Sequence, residues 1–310
     1  MHLCKKNSNF VALLRIMLDK LANIDSYEKW KTLRYSAVLS RGNFNKLLHD
    51  DFALMDDVIF DYGKINANSA PLTYKDYVSH VFRYLTKHYR NEYIIKNALL
   101  NHLIDEYGTS QTIALNEFAV GTSIADMVLF NGCSKAFEIK TEHDSPKRLA
   151  SQISNYSEIF QYCYLVAHED YLSKYQKEID ANTGIIKYYI NRGHIYFEEI
   201  KPATKNTQIN PYLLMRCLRT EEYKKIVRLY YGSLPEMNAF TAFTICEQLL
   251  SQIPAESLHQ LFIQIIKGRK NNMKFLKKYD KSLRQMCLSM HLFPNEYKMI
   301  NEKLLTPIKI

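Results

Sequence analysis

The sequence predicts an α/β protein in which a core ordered α-β-β-β-α-β lies between mainly helical regions. Three observations carry that expectation. Apolar residues recur at three- and four-residue spacing over most of the chain, the mark of amphipathic helices. Between Gln111 and Val166 that period gives way to short β-compatible runs. Those runs are punctuated by Gly121, Asn131-Gly132 and Asp144-Ser145-Pro146, which signal turns and a helix start.

In chain order, residues 8–62 read as helices, with one apolar stripe at Phe10, Leu13, Leu14, Met17, Leu18 and Leu21 and another from Phe44 to Ile59. Gly63 to Pro71 is small and polar, a boundary. Leu72 to Tyr107 is helical again, with a phase change near His88–Asn91 and Gly108 as a C-terminal cap. Strands follow at Thr112–Val120, Ser123–Phe130 and Ala136–Thr141. Pro146 opens a helix whose buried stripe is Leu149, Ile153, Tyr156 and Phe160. Tyr162–Ala167 is a fully apolar strand, Asp170–Ile179 a polar helix, and Ile185–Ile190 with His194–Ile200 a hairpin. After the linker Lys201–Pro211, helices are expected at Tyr212–Tyr231, Ala239–Ile253, Ala255–Ile266 and Lys270–Met290. The regions are thus 1–75 helical, 76–200 the α/β core, and 201–310 helical and basic.

Composition narrows the function classes. Residues 201–310 hold 18 Lys and Arg against 8 Asp and Glu, a net of +10, while residues 1–200 are near neutral. A basic surplus so placed suits a polyanionic partner, although solvated helix faces account for it equally well. No run of about 18 uncharged apolar residues exists to span a membrane, and the short apolar run after Met1 lacks the layout of a signal peptide, so a cytoplasmic address is expected. Six scattered cysteines form no CxxC pair, which argues against a zinc knuckle or a disulfide framework. Neither a glycine-rich phosphate loop, nor HExxH, nor GxSxG occurs. His143 and Asp144 read as capping or loop residues, not as ligands.

Chemistry concentrates in two strands. Within Phe137-Glu138-Ile139-Lys140, alternation sends Glu138 and Lys140 to one face and the apolar pair to the other. A buried charge without a partner is costly, so this pair requires a counter-charge or a metal. The preceding strand carries Asp126 alone among Ile124, Ala125, Met127, Val128 and Leu129. A strict two-residue Asn131-Gly132 loop would place Asp126 and Glu138 on opposite faces. A three-residue loop with Gly132 left-handed, or one bulge, places them together. A shared site therefore requires the odd-length turn.

Asp126, eleven residues and then Glu138-Ile139-Lys140 resembles the signature of the PD-(D/E)XK nuclease superfamily. The α-β-β-β-α-β order is similar to that superfamily's restriction-endonuclease-like core, a mixed central sheet flanked by helices. Glu92 on the first helix, in line with Ile95, Leu99 and Leu103, resembles its additional acidic residue. Gln152-Ile153-Ser154-Asn155-Tyr156 resembles the QxxxY motif of the RecB-like branch. The resemblance spans roughly residues 90–168 and is nearest to small stand-alone bacterial members. It departs in having Ala125 at the proline position and no basic residue just before it.

The resemblance implies hydrolysis of nucleic-acid phosphodiesters, with DNA favoured, in restriction, phage defence or repair. It implies Mg²⁺ or Mn²⁺ held by Asp126, Glu138 and the Ile139 carbonyl, with Glu92 acting through water or a second ion. Lys140 would orient the attacking water or offset transition-state charge, and Gln152 and Tyr156 would position substrate. Lys147 and Arg148, in the first turn of the QxxxY helix, are placed to touch a phosphate. Nucleic acid is the expected partner, with no membrane, and a partner protein or a homodimer is left open. Two rivals stand beside this reading: a non-catalytic nucleic-acid-binding module, and a protein-interaction or effector module on the same scaffold.

Overall fold

A computed structural model describes residues 26–62, 73–142 and 144–308. The first apolar stripe, the Gly63–Pro71 boundary and His143 lie outside the described residues. Contacts divide the chain into two compact units, Met1–Ile94 with Pro294–Ile310, and Ile95–Phe293.

The first unit holds helices α1 (Ser26–Val38), α2 (Arg41–Leu48), α3 (Ala53–Tyr62) and α4 (Tyr74–His88). Ser40 caps α2 by accepting from the Asn43 N–H, and Thr73 with Asp76 forms a reciprocal capping box on α4. Tyr35, Phe44, Leu47, Met55, Val81 and Leu85 are fully buried there. The C-terminal segment joins this unit: Thr73 bridges Pro307, and the Lys75 Nζ donates to Asn301 Oδ1 at 3.1 Å.

The expected break at His88–Asn91 is present, and α5 (Glu92–Tyr107) follows it. Then come β1 (Ile113–Val120), β2 (Ser123–Phe130), β3 (Ser134–Lys140), a 3-10 turn at Pro146–Arg148, α6 (Leu149–Ser157) and β4 (Tyr162–His168). The α-β-β-β-α-β order is therefore observed. A second 3-10 turn, Glu169–Tyr171, leads into the short helix α7 (Leu172–Gln176), where a longer helix to Ile179 was expected. The hairpin β5 (Gly184–Asn191) and β6 (His194–Lys201) completes a six-stranded sheet in sequential order. Its edges are antiparallel hairpins, and β3, β4 and β5 run parallel between them. The protein is thus α/β, with a mixed sheet flanked by helices.

Beyond the linker lie α8 (Pro211–Arg216), α9 (Thr220–Tyr231), α10 (Ala242–Ser251), α11 (Ala255–Lys267), α12 (Met273–Leu276), α13 (Arg284–Ser289) and α14 (Pro294–Leu304). The single helix expected over Tyr212–Tyr231 is two, because Glu222 caps the Arg219 N–H and starts a new one. The helix expected over Lys270–Met290 is also two, split where Asp280 turns the chain onto Ser282. Helix α14 was not expected from the periodicity, yet Pro294 begins it at the position where a missing N–H costs nothing.

The main core lies between one sheet face and α6, α9 and α11. Val128, Phe130, Ala136 and Leu165 pack there against Ile153, Tyr156, Phe160 and Phe262. This face carries the candidate site, so burying it is what desolvates the site's charges.

Candidate active site

The turn between β2 and β3 settles the parity. Phe130 pairs with Ser134, leaving the three-residue loop Asn131-Gly132-Cys133, with Gly132 at φ +102°. That backbone region favours glycine, which has no Cβ to clash. The register continues from Met127–Phe137 to set Asp126 opposite Glu138 on the face covered by α6. The ladder itself ends at Met127–Phe137, and the Asp126 carboxylate takes over: Ile139 N–H donates to Asp126 Oδ2 at 2.8 Å.

Glu138 is 2% exposed and Lys140 8%. Lys140 Nζ donates to Glu138 Oε1 at 2.7 Å and to Gln152 Oε1 at 3.1 Å. Gln152 and Tyr156 stand one turn apart on α6, so the helix presents both to the same strand. The Tyr156 hydroxyl has one proton and two acceptors in reach, Glu138 Oε2 at 2.7 Å and the Ile124 carbonyl at 2.8 Å. Asn155 ties α6 to the β1–β2 turn by donating to Ser123 Oγ at 2.7 Å. The cluster Asp126, Glu138, Lys140, Gln152 and Tyr156 is therefore assembled by one sheet register and one helix face.

The structure adds a residue that sequence reasoning missed. Lys96, 5% exposed on α5, places its Nζ 3.1 Å from Asp126 Oδ1. The signal was available: Lys96 is a lone charge between Ile94-Ile95 and Leu99-Leu100, the same anomaly that singled out Asp126. Glu92 stands exposed in the first turn of α5 and belongs to the first unit, while the cluster belongs to the second. Lys147 and Arg148 are exposed in the 3-10 turn before α6 and not in its first turn.

Burial, and then the neighbouring Asp126 carboxylate, raises the Glu138 pKa above the ordinary carboxyl value; the Lys140 ammonium and Tyr156 hydroxyl oppose the shift without cancelling it. Burial and Glu138 push the Tyr156 phenol up as well, which keeps it a neutral donor. A carboxyl raised on folding binds its proton more readily in the folded chain. Its contribution to stability is full below the unfolded value of 4.5 and is lost as pH rises through the folded value. Urea unfolding from about pH 4 to about pH 8 is expected to show the stability of the protein, relative to Glu138→Gln, falling as pH rises. A difference that stays flat or rises would refute the shift.

The donor chemistry fits a hard divalent cation: carboxylates and a backbone carbonyl are the ligands Mg²⁺ and Mn²⁺ take. Among the described residues no group of three or more His, Cys, Asp and Glu is placed to hold a metal. Such an ion would take two carboxylates from this cluster and complete its shell with the Ile139 carbonyl and water. It would also meet an occupied site, since each of the four carboxylate oxygens already has a protein donor. Lys96 is the donor that a cation at Asp126 must displace.

The profile of the bacteriophage P4 protein cII family matches residues 86–290, a span that contains every residue of the cluster. Protein cII of Enterobacteria phage P4 is 25% identical over 177 residues, 56% of this chain and 66% of that protein. The chain therefore spans just under two thirds of that relative's length. A solved protein of unknown function from Silicibacter pomeroyi aligns with 46% of this chain and 93% of its own, at 12% identity and a TM-score of 0.29. That score is too low for the likeness to bear on the fold.

Proposed function

The chain belongs to the bacteriophage P4 protein cII family, and from the geometry of its buried cluster we propose that it is a cytoplasmic, metal-dependent nuclease that hydrolyses nucleic-acid phosphodiesters, with DNA as its substrate. Family membership names no reaction, so the support is geometric. The single observation that carries the reading is the odd-length turn, which sets Asp126 beside Glu138 and Lys140 on one buried face. Asp126, Glu138 and the Ile139 carbonyl would hold Mg²⁺ or Mn²⁺. When bound, the cation acidifies water and offsets charge on the phosphate.

The chain's own groups do the remaining work. Glu138 and Gln152 hold the Lys140 ammonium fixed from two sides, so it offers a preorganised positive charge to a phosphate oxygen. Tyr156 orients the Glu138 carboxylate by donating to its second oxygen. The Asp126 acceptor holds the end of β3 against β2 through the Ile139 N–H. Lys147 and Arg148, exposed in the turn before α6, would touch a phosphate near the site.

One observation favours a second reading. Two carboxylates and two ammoniums balance within the cluster, and a closed charge set of this kind is also what a non-catalytic binding module would keep. Cleavage of single-stranded, duplex and branched DNA and of RNA in Mg²⁺ or Mn²⁺ separates the two. The nuclease reading expects cleavage that EDTA abolishes. Absence of cleavage on all four substrates, with binding intact, would favour the module.

A further inference from the structure

Lys270, Lys274, Lys277, Lys278 and Lys281 are all exposed, and among the described residues none of them lies in an ion pair. Other exposed basic residues of the unit share that state, Lys177, Arg192, Lys225 and Arg228 among them; these five differ in falling within twelve consecutive residues. Lys187, Lys205, Lys224 and Arg269 each pair with a glutamate, and the buried Lys96 and Lys140 pair with the cluster. The segment's single acid, Asp280, accepts from the Ser282 N–H and hydroxyl at 2.9 and 2.7 Å. Among the described residues no carboxylate is in ion-pair contact with the five lysines of this face, and Asp280 is the segment's one acid.

This face is built, not merely solvated. Met273, Leu276 and Tyr279 point inward at three-residue spacing while Lys274, Lys277 and Lys278 point out. The turn after it is clamped onto α5, the helix that carries Lys96. Asn97 and Asn101 both donate to the Lys281 carbonyl, at 2.9 and 3.0 Å. Gln285 N–H donates to Asn97 Oδ1 at 3.0 Å, and Arg284 Nη1 to Asn101 Oδ1 at 2.8 Å. The lysines are thus held at a fixed offset from the cluster.

We infer that this lysine face is a docking track for the phosphate backbone of duplex DNA. Exposed ammoniums without ion-pair partners, clustered in one segment, suit phosphates and read no sequence. The aromatic residues of the segment argue against single strands, which bind by stacking on open rings. Phe275 and Phe293 meet edge to face at 6.2 Å and are covered by Lys274 at 5.0 Å and Lys270 at 4.6 Å. Tyr279 is buried, with its hydroxyl on the Leu292 carbonyl. Duplex RNA is recognised through its 2′-hydroxyls, and the segment's half-buried polar side chains are already engaged locally: Asn271 bonds the Arg269 carbonyl and the Met273 N–H, and Ser282 bonds Asp280. The track deepens the nuclease reading and rests on it only for what happens to the DNA once docked.

The test is fluorescence anisotropy of the full chain with a 20-base-pair duplex of arbitrary sequence in EDTA, repeated with single-stranded DNA and duplex RNA, over a salt series. The combined variant Lys274→Gln, Lys277→Gln, Lys278→Gln and Lys281→Gln is compared with Lys205→Gln/Lys224→Gln, which removes two paired lysines. Wild type is expected to bind the duplex DNA most tightly, with no dependence on its sequence. The four-lysine variant is expected to unfold at the same urea concentration, to bind on the order of 100-fold more weakly, and to lose about 3 to 4 from its log–log salt slope. The paired-lysine control is expected to keep both affinity and slope. Unchanged binding in the four-lysine variant, or tighter wild-type binding to single strands or duplex RNA, overturns the track. Binding that fails only in the lysine variant while no metal supports cleavage sustains the track and removes the nuclease reading.

Discussion

Asp126→Ala is expected to destabilise the second unit by about 3–5 kcal/mol, more than a surface carboxylate ever costs. Two losses add. The Lys96 ammonium, its side chain 6% exposed, is deprived of a counter-charge at 3.1 Å, and removing one member of a buried pair is far costlier than never having had the pair. The Ile139 N–H also loses its acceptor at 2.8 Å, at the point where the β2–β3 ladder has ended. A buried donor left unmet costs about 1–3 kcal/mol. The double variant Asp126→Asn/Lys96→Met removes both charges and retains an amide oxygen for Ile139. It is expected to recover most of the loss, with a coupling of about 1–3 kcal/mol in a double-mutant cycle followed by urea unfolding. Additive single effects would mean that the pair is not energetically linked.

Lys140→Met is the second large effect. Glu138 then keeps the Tyr156 donor at Oε2 but loses the ammonium at Oε1, inside a site where its side chain is 3% exposed and Asp126 is adjacent. The carboxyl's pKa, already raised by burial, rises further without the opposing cation. The penalty is therefore small where Glu138 is protonated and grows as pH rises, reaching about 3–5 kcal/mol once the carboxylate must ionise. Unfolding at about pH 5 and about pH 8 reads this directly, and equal penalties at both would contradict it. Cleavage is expected to fall by at least about 100-fold, the usual effect of removing a preorganised charge aimed at the transition state.

These effects depend on features of unequal visibility in the sequence. The three strands were legible because alternation and the Asn131-Gly132 turn are local signals. The face shared by Asp126 and Glu138 was legible only as a condition, since it hinges on whether Cys133 belongs to the turn or to the strand. The i, i+4 stacking of Gln152 and Tyr156 followed from helical geometry alone and is realised on α6. Lys96 was overlooked because its partner is set by how α5 lies on the sheet, which no helical period encodes. The split of Lys270–Met290 was hidden for a related reason: its apolar spacing is helical throughout, and the break comes from Asp280 capping the Ser282 turn. In that split lies the lysine face, whose significance depends on the absence, among the described residues, of ion-pair partners, which only the folded chain exposes.

The measurement closest to the central claim is single-turnover cleavage of duplex DNA in Mg²⁺ by wild type and by Asp126→Asn/Lys96→Met, with both shown to unfold at similar urea concentrations. The double variant keeps the charge balance and lacks the carboxylate together with its Lys96 partner, so at matched stability a loss of activity is not a consequence of unfolding. Cleavage by wild type that EDTA abolishes, with none by the double variant, is the expected result. Equal cleavage by both, or none by either, would contradict a hydrolytic site built on Asp126, Glu138 and Lys140.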